Sequence, residues 1–236
     1  MTTSFVPFGS SRPLSILVDG AMPDRDPDVE HCWAEACAGN PRLFDGSILA
    51  VRAIDAPWAT IHARPERFSH VVCKQPRRSS PVTILSVTGL IEAIVDGRPS
   101  VLVARRGEAT RSYPGMWEFA PAGGLALAPS PSTLGLDHVL STLRAEMREE
   151  VGLSEALLAP RAIGVVIDPA AHSVDIVVRA RLSNPSPMLR VDEDRRWECA
   201  EARWVAVEAL GEFLAVAPGG VIEPTRAIGL GLGWVG

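Results

Sequence analysis

The sequence predicts an α+β protein, with a small α+β unit over residues 1–80 followed by a larger one over 81–236. Three observations carry this expectation. Apolar segments of strand length recur along the chain, several of them in pairs. One segment, 136–153, has strong helical periodicity. Between the two units lies PRRSSP (76–81), polar and bounded by proline, which suits a domain boundary.

The elements follow in order. Residues 1–26 read as an irregular arm or short strand. PDVEHCWAEACAG (27–39) suits a short helix, with Asp26 as N-cap and Gly39–Asn40 as its stop. SILAVRAIDA (47–56) and WATIHA (58–63) read as two strands, and SHVVCKQ (69–75) as a weaker third. VTILSVTGLIEAIV (82–95) and SVLVAR (100–105) are strands joined by a DGR hairpin turn. GMWEFAPAGG (115–124) is a short strand running into a glycine turn, and 125–135 is a loop. In 136–153, Val139, Leu140, Leu143, Met147 and Val151 recur at spacings of three and four, and Gly152 suits the C-terminal stop. RAIGVVIDP and SVDIVVRARL are two more strands; ARWVAV is a strand and EALGEFLAV a short helix.

Composition excludes several classes. Apolar residues make up 47% and charged residues 22%, which is globular. The formal charge of 23 − 28 = −5 argues against a groove-wide nucleic-acid binder. No apolar run reaches the ~18 residues of a membrane span, and the N-terminus lacks the form of a secretory signal. A soluble, cytoplasmic protein is expected. The irregularly spaced Cys32, Cys37, Cys73 and Cys199 read as four reduced thiols.

Glu146, Glu149 and Glu150 stand at i, i+3 and i+4 and so share one side of the helix. Such carboxylates repel one another. A hard divalent cation would reverse that sign, because Mg²⁺ prefers oxygen ligands. A solvated acidic face balanced by Arg144 and Arg148 is the other reading of these residues.

The flanking sequence bears on the choice. Ala145-Glu146-Met147-Arg148-Glu149-Glu150-Val151-Gly152-Leu153 resembles the second half of the Nudix box. Upstream, Trp117-Glu118-Phe119 and Pro121-Ala122-Gly123-Gly124 resemble the strand and turn that precede it. Val103-Ala104-Arg105-Arg106 resembles the family strand that ends in a phosphate-contacting arginine, and Glu198 to Trp204 its late Glu…Trp-Val stretch. The resemblance covers roughly 82–216. Two box positions differ: Asp137 replaces the first Glu and Ala145 the Arg. Twelve residues (125–136) lie between Gly124 and Asp137, seven more than the family spacing. A second resemblance lies in Trp33 and Asn40-Pro41-Arg42-Leu43-Phe44-Asp45-Gly46. That stretch is similar to the leader of Nudix hydrolases acting on UDP-glucose and UDP-galactose; an ordinary helix stop and hairpin turn is its other reading.

The resemblance implies an α/β/α sandwich with a mixed sheet and Mg²⁺-dependent cleavage of a nucleoside-diphosphate-linked substrate, Mn²⁺ being an alternative ion. It assigns the metal to Glu146, Glu149 and Glu150, which are also the catalytic residues, and to the carbonyl of Gly124, where a Cβ would obstruct the turn. Arg105 or Arg106 would hold a phosphate, or the pair is merely solvated. Glu118 would support the site, or is a surface strand carboxylate. Trp117 would flank the substrate, or belongs to the core. The inserted loop is expected to be mobile near the non-nucleotide end. The expected partner is a small-molecule nucleotide, with neither nucleic acid nor membrane; a homodimer is compatible with the sequence. UDP-glucose or UDP-galactose is the first substrate expected and ADP-ribose the second. Ala145 and Asp137 also leave open a catalytically inactive ligand-binding regulator.

Overall fold

The computed structural model describes residues 2–9, 12–24, 27–74, 82–128, 133–182 and 189–234. Their strands are β1 (Ser4–Pro7), β2 (Ser15–Val18), β3 (Ser47–Asp55), β4 (Thr60–Arg67), β5 (Ile84–Val95), β6 (Arg98–Arg106), β7 (Trp117–Phe119), β8 (Ala122–Gly124), β9 (Thr133–Leu134), β10 (Leu157–Asp168), β11 (Ser173–Leu182) and β12 (Cys199–Ala206). The helices are α1 (Pro27–Gly39), α2 (Phe68–Lys74), α3 (Leu136–Val151), α4 (Val207–Val216) and α5 (Glu223–Gly231).

All described strands join one mixed sheet. Its main path runs β1-β10-β11-β5-β3-β4-β2-β9, with β6 and β8 also pairing with β5, and β7 and β12 pairing with β6. β11 runs parallel to β5, whereas β10, β6 and β8 are antiparallel to their neighbours. The β5–β6 turn has Asp96 at φ 50 and Gly97 at φ 76, the two positive values that a two-residue hairpin of this twist needs.

Strand alternation splits the apolar side chains between two faces. Leu85, Val87 and Ile91 of β5 pack with Leu102 of β6, Ile176 of β11 and Val139, Leu143, Met147 and Val151 of α3. Leu90, Val101, Val103 and Val177 point the other way, onto Leu210, Phe213 and Leu214 of α4 and Ile228 of α5. Each such fully buried side chain contributes about 1.5–3 kcal/mol of transfer energy. Helices therefore cover both faces of this part of the sheet, giving the expected α/β/α sandwich. α3 ends where expected, at Gly152 in a left-handed cap.

The N-terminal part departs from expectation in several places. Residues 1–26 contain two strands, and β1 pairs with β10 in register Ser4↔Ile167 to Pro7↔Gly164. Leu14, Ile16, Leu49 and Ile61 belong to the same apolar cluster as α3, so residues before and after position 80 share one core. Of SHVVCKQ, read as a strand, residues 69–74 are helical. Asp45 Oδ1 accepts from Ser69 N at 2.7 Å near the start of α2, and Glu66 bonds His70 Nδ1 at 2.7 Å one turn on. These contacts, one of them 24 residues distant in sequence, outweigh the β preference of Val71 and Val72. Cys32 and Cys73 are not free thiols: a disulfide joins α1 to α2, with a Cα–Cα distance of 5.8 Å, while Cys37 and Cys199 are free. α5, unforeseen, starts with Pro224 in its first turn, a common helix opening. The boundary at 76–81, the Asp26 cap and residues 129–132 of the inserted loop lie outside the described residues. Elsewhere that loop is structured, with Ala126 bridging to Ile48 and β9 pairing with β2. No described helix is long and apolar enough to cross a membrane.

Candidate active site

A cavity of 630 Å³ opens where the N-terminal part meets the sandwich. Its floor is the polar side of β5 and β11, because Ser86 alternates with Leu85 and Val87, and Ser173 and Asp175 with Val174 and Ile176. One wall holds Glu118 of β7, the β8 strand and Glu150 of α3. The turn after α1, with Arg42, Leu43 and Phe44, forms the roof with Phe68 and Val72 of α2 and with Trp197. Phe44 is 80% exposed, and the Arg42 guanidinium lies 5.5 Å from the Trp197 ring centre. The leader turn thus faces the cleft.

Arg106 lines this cavity. Its Nη1 donates to Glu118 Oε1 at 2.8 Å and its Nε to the Ser112 carbonyl at 2.9 Å, which ties the 107–116 loop to the site. Glu118 raises the Arg106 pKa, against burial, with Glu150 and Asp175 adding in the same direction. Arg111, at the rim, is lowered by burial and by the like charge of Arg106, and has no ion-pair partner among the described residues. Two cations thus lie close enough to repel, which favours an anion between them.

The carboxylates show the opposite imbalance. Burial holds Glu150 well above the ordinary carboxylate range, and Glu118, Glu146 and Glu198 add repulsion against one bond from Ala122 N at 3.4 Å. Burial pushes Glu146 up to about 7, with Glu198 and Glu149 contributing and Arg195 opposing. Glu118 is raised by burial despite Arg106. Clustered, desolvated carboxylates of this kind suit a hard divalent cation. Among the described residues no set of three His, Cys, Asp or Glu is already gathered around an ion position. Glu149 is exposed and pairs with Arg195 Nη2 at 2.9 Å.

Several sequence expectations need correction. Arg105 does not line the cavity; alternation along β6 turns it away from Arg106, toward Glu108 and Glu201. Trp117 is core: it packs edge-on to Phe213 at 5.5 Å, donates Nε1 to the Pro218 carbonyl, and does not line the cavity. Glu118 is only 8% exposed, so it is no surface carboxylate. Gly124 does line the cavity, but a Cβ there would meet nothing within 4 Å. The steric requirement falls on Gly123, where a Cβ would collide with the Glu146 carboxylate. The backbone must pass bare at that point for α3 to present its acids.

Other residues of the cavity escaped the sequence reading. Tyr113, at φ 54, donates its hydroxyl to Asp168 Oδ2 at 2.7 Å. Trp197 and Glu198 sit on a turn held by a bond from Gly107 N to the Glu198 carbonyl, and a Cβ on Gly107 would strike the Trp197 backbone. Asp175 had a legible signal: it is a carboxylate set between Val174 and the run Ile176–Val177–Val178, which is costly unless used. Burial pushes it up to about 6.

These shifts fix a pH dependence. Glu146 and Glu150 hold protons in the fold at pH values where the unfolded chain, near 4.5, has released them. The folded state binds more protons, so metal-free stability is lost as pH rises from about 4.5 through about 7. In chelator, the melting temperature should fall by about 5 °C or more between pH 5.5 and 8, at about 2–4 °C per kcal/mol for this size. Glu150→Gln should flatten the fall, and added Mg²⁺ should reverse it. Calorimetric melts across that range check this; a wild-type curve that the variant merely parallels would contradict it.

No protein-family model matches the sequence, and no curated protein matches it. Among solved structures, the chain aligns with the Nudix domain of Shewanella oneidensis NrtR complexed with ADP-ribose at 15% identity. That alignment covers 66% of this chain and 91% of the other, with a TM-score of 0.44. A C. elegans Ap4A hydrolase binary complex aligns at 16% identity over 64% of this chain and 98% of the other, with a TM-score of 0.41. A Francisella tularensis bifunctional NMN adenylyltransferase/ADP-ribose pyrophosphatase, complexed with AMP and a Mn ion, aligns at 13% identity, covering 66% and 43%, with a TM-score of 0.46.

Proposed function

We propose that this chain is a Nudix-type hydrolase that cleaves the diphosphate of a nucleoside-diphosphate-linked substrate, first of all a UDP-hexose, to UMP and a sugar 1-phosphate. The observation that carries the reading is the meeting of buried, mutually repelling carboxylates with an arginine pair in one cavity. Such a site attracts a cation on one side and an anion on the other, and a metal-bound diphosphate supplies both.

Glu146 and Glu150 would hold the ion, Mg²⁺ or alternatively Mn²⁺, with the Gly124 carbonyl and with Glu149 once Arg195 releases it. A divalent ion there neutralises diphosphate charge and acidifies water. The rest of the chemistry belongs to the side chains. Arg106, fixed by Ser112 and Glu118, orients a phosphate oxygen, and Arg111 adds charge at the rim. Glu198, facing the same cavity, is placed to take a proton from an attacking water. The leader, residues 1–80, supplies the roof, so it bounds one end of the ligand. That role, and the similarity of its turn to UDP-sugar enzymes, favours UDP-glucose or UDP-galactose.

The test compares kcat/KM for UDP-glucose and ADP-ribose with Mg²⁺, products being identified by mass. The expected result is a preference for UDP-glucose. A tenfold preference for ADP-ribose, about 1.4 kcal/mol in transition-state binding, would overturn the UDP-sugar choice and leave the Nudix reading. Tight binding of either ligand without turnover would favour the inactive regulator suggested by Ala145 and Asp137.

A further inference from the structure

We propose that the cavity floor around Asp175 is a sugar-hydroxyl subsite, which selects the non-nucleotide end of the substrate. This rests on the nucleoside-diphosphate reading above and deepens it by naming the group recognised and the residue that recognises it.

Asp175 lies mid-floor on β11, beside its parallel neighbour β5. Its Oδ2 accepts from Thr88 Oγ1 at 3.0 Å. Its Oδ1 is buried and makes no hydrogen bond of ordinary length among the described residues, although the Ser173 hydroxyl lies close enough to favour its charge. An acceptor in that position costs folding energy, and a ligand that donates to it recovers that cost. The adjacent Asp168 is different: Tyr113 and Ala170 N already occupy its oxygens. Asp175 is therefore the carboxylate on this floor with capacity to spare.

Charge and shape decide what donates. A carboxylate repels phosphate, so the diphosphate lies toward Arg106 and Arg111 and a neutral, donor-rich group lies over Asp175. Ser86 and Ser173 line the same floor and Thr88 bonds Asp175 directly, three small hydroxyls that are each both donor and acceptor. That pattern matches vicinal hydroxyls of a sugar. A nucleobase needs a flat apolar partner, and three of the aromatic side chains that line the cavity, Phe44, Phe68 and Trp197, belong to the roof, while the fourth, Tyr113, is tied through its hydroxyl to Asp168. A hexose and the terminal ribose of ADP-ribose both offer the required hydroxyls.

Calorimetric titration in Ca²⁺ with UDP-glucose, UDP-galactose, ADP-ribose, UDP and ADP tests this on wild type, Asp175→Ala and Asp175→Asn. Wild type should bind a sugar-bearing ligand more tightly than its parent nucleotide. Asp175→Ala should weaken that ligand by about 10- to 100-fold, the range for a hydrogen bond to a charged group, with UDP and ADP changed less than about twofold. Asp175→Asn, which keeps the shape, should fall between. Which ligand loses its margin tells hexose from ribose. Unchanged parent-nucleotide binding also shows that the variants fold. A margin that survives in Asp175→Ala, or an equal loss for UDP and ADP, overturns the subsite while the nucleotide reading stands. Wild type that binds none of the five overturns both.

Discussion

Replacing Glu150 by glutamine should abolish hydrolysis and leave the metal-free protein more stable. Glu150 is buried against Glu118, Glu146 and Glu198, with a single backbone donor to offset their repulsion. Removing its charge relieves that repulsion, and the same change deletes an oxygen ligand. A fall in turnover of about 100-fold or more is expected, the size seen when one charge-stabilising group leaves an active site. The melting temperature in chelator should rise at pH 8, where the wild-type group pays most for ionising. Glu149→Gln should also lose activity but without the gain in stability, because Glu149 is exposed and already paired with Arg195. Near-wild-type turnover of both variants in saturating Mg²⁺ would show that the site is wrongly assigned.

The second large effect is at Arg106. Arg106→Ala leaves Glu118 buried without its cation, and the pair is well shielded, at 24% and 10% side-chain exposure. Breaking a pair of this kind costs about 3 kcal/mol, or about 6–12 °C here. The loss of a phosphate-orienting group should cut kcat/KM by about 100-fold as well. The two losses separate in the double variant Arg106→Ala/Glu118→Gln, which removes the stranded charge. It should regain most of the stability and none of the activity. Recovery of both would reduce Arg106 to a structural partner of Glu118.

What the sequence disclosed and what it hid follow from the range of the forces involved. The β5–β6 hairpin was legible because Asp96-Gly97 dictates its own backbone, and α3 because five apolar residues mark one face over four turns. The acids of α3 came with that helix. α2 was illegible, since Asp45 near its first turn is 24 residues away and its valines favour strands. The Cys32–Cys73 bond depends on how α1 meets α2, which no local spacing records. Adjacent arginines could not be told apart before the register of β6 was known. The roof of the cavity was half legible: the Arg42–Phe44 turn stood out, whereas Trp197 reaches the site only because Gly107 lets its turn approach.

On the proposed reading, this cavity positions a diphosphate for attack by water. That is tested most directly by incubating the purified protein with UDP-glucose and Mg²⁺ in ¹⁸O-labelled water and weighing the products. UMP and glucose 1-phosphate are expected, with one labelled oxygen in one of the two and loss of the reaction in Glu150→Gln. Intact UDP-glucose, with ADP-ribose also intact under the same conditions, would contradict it.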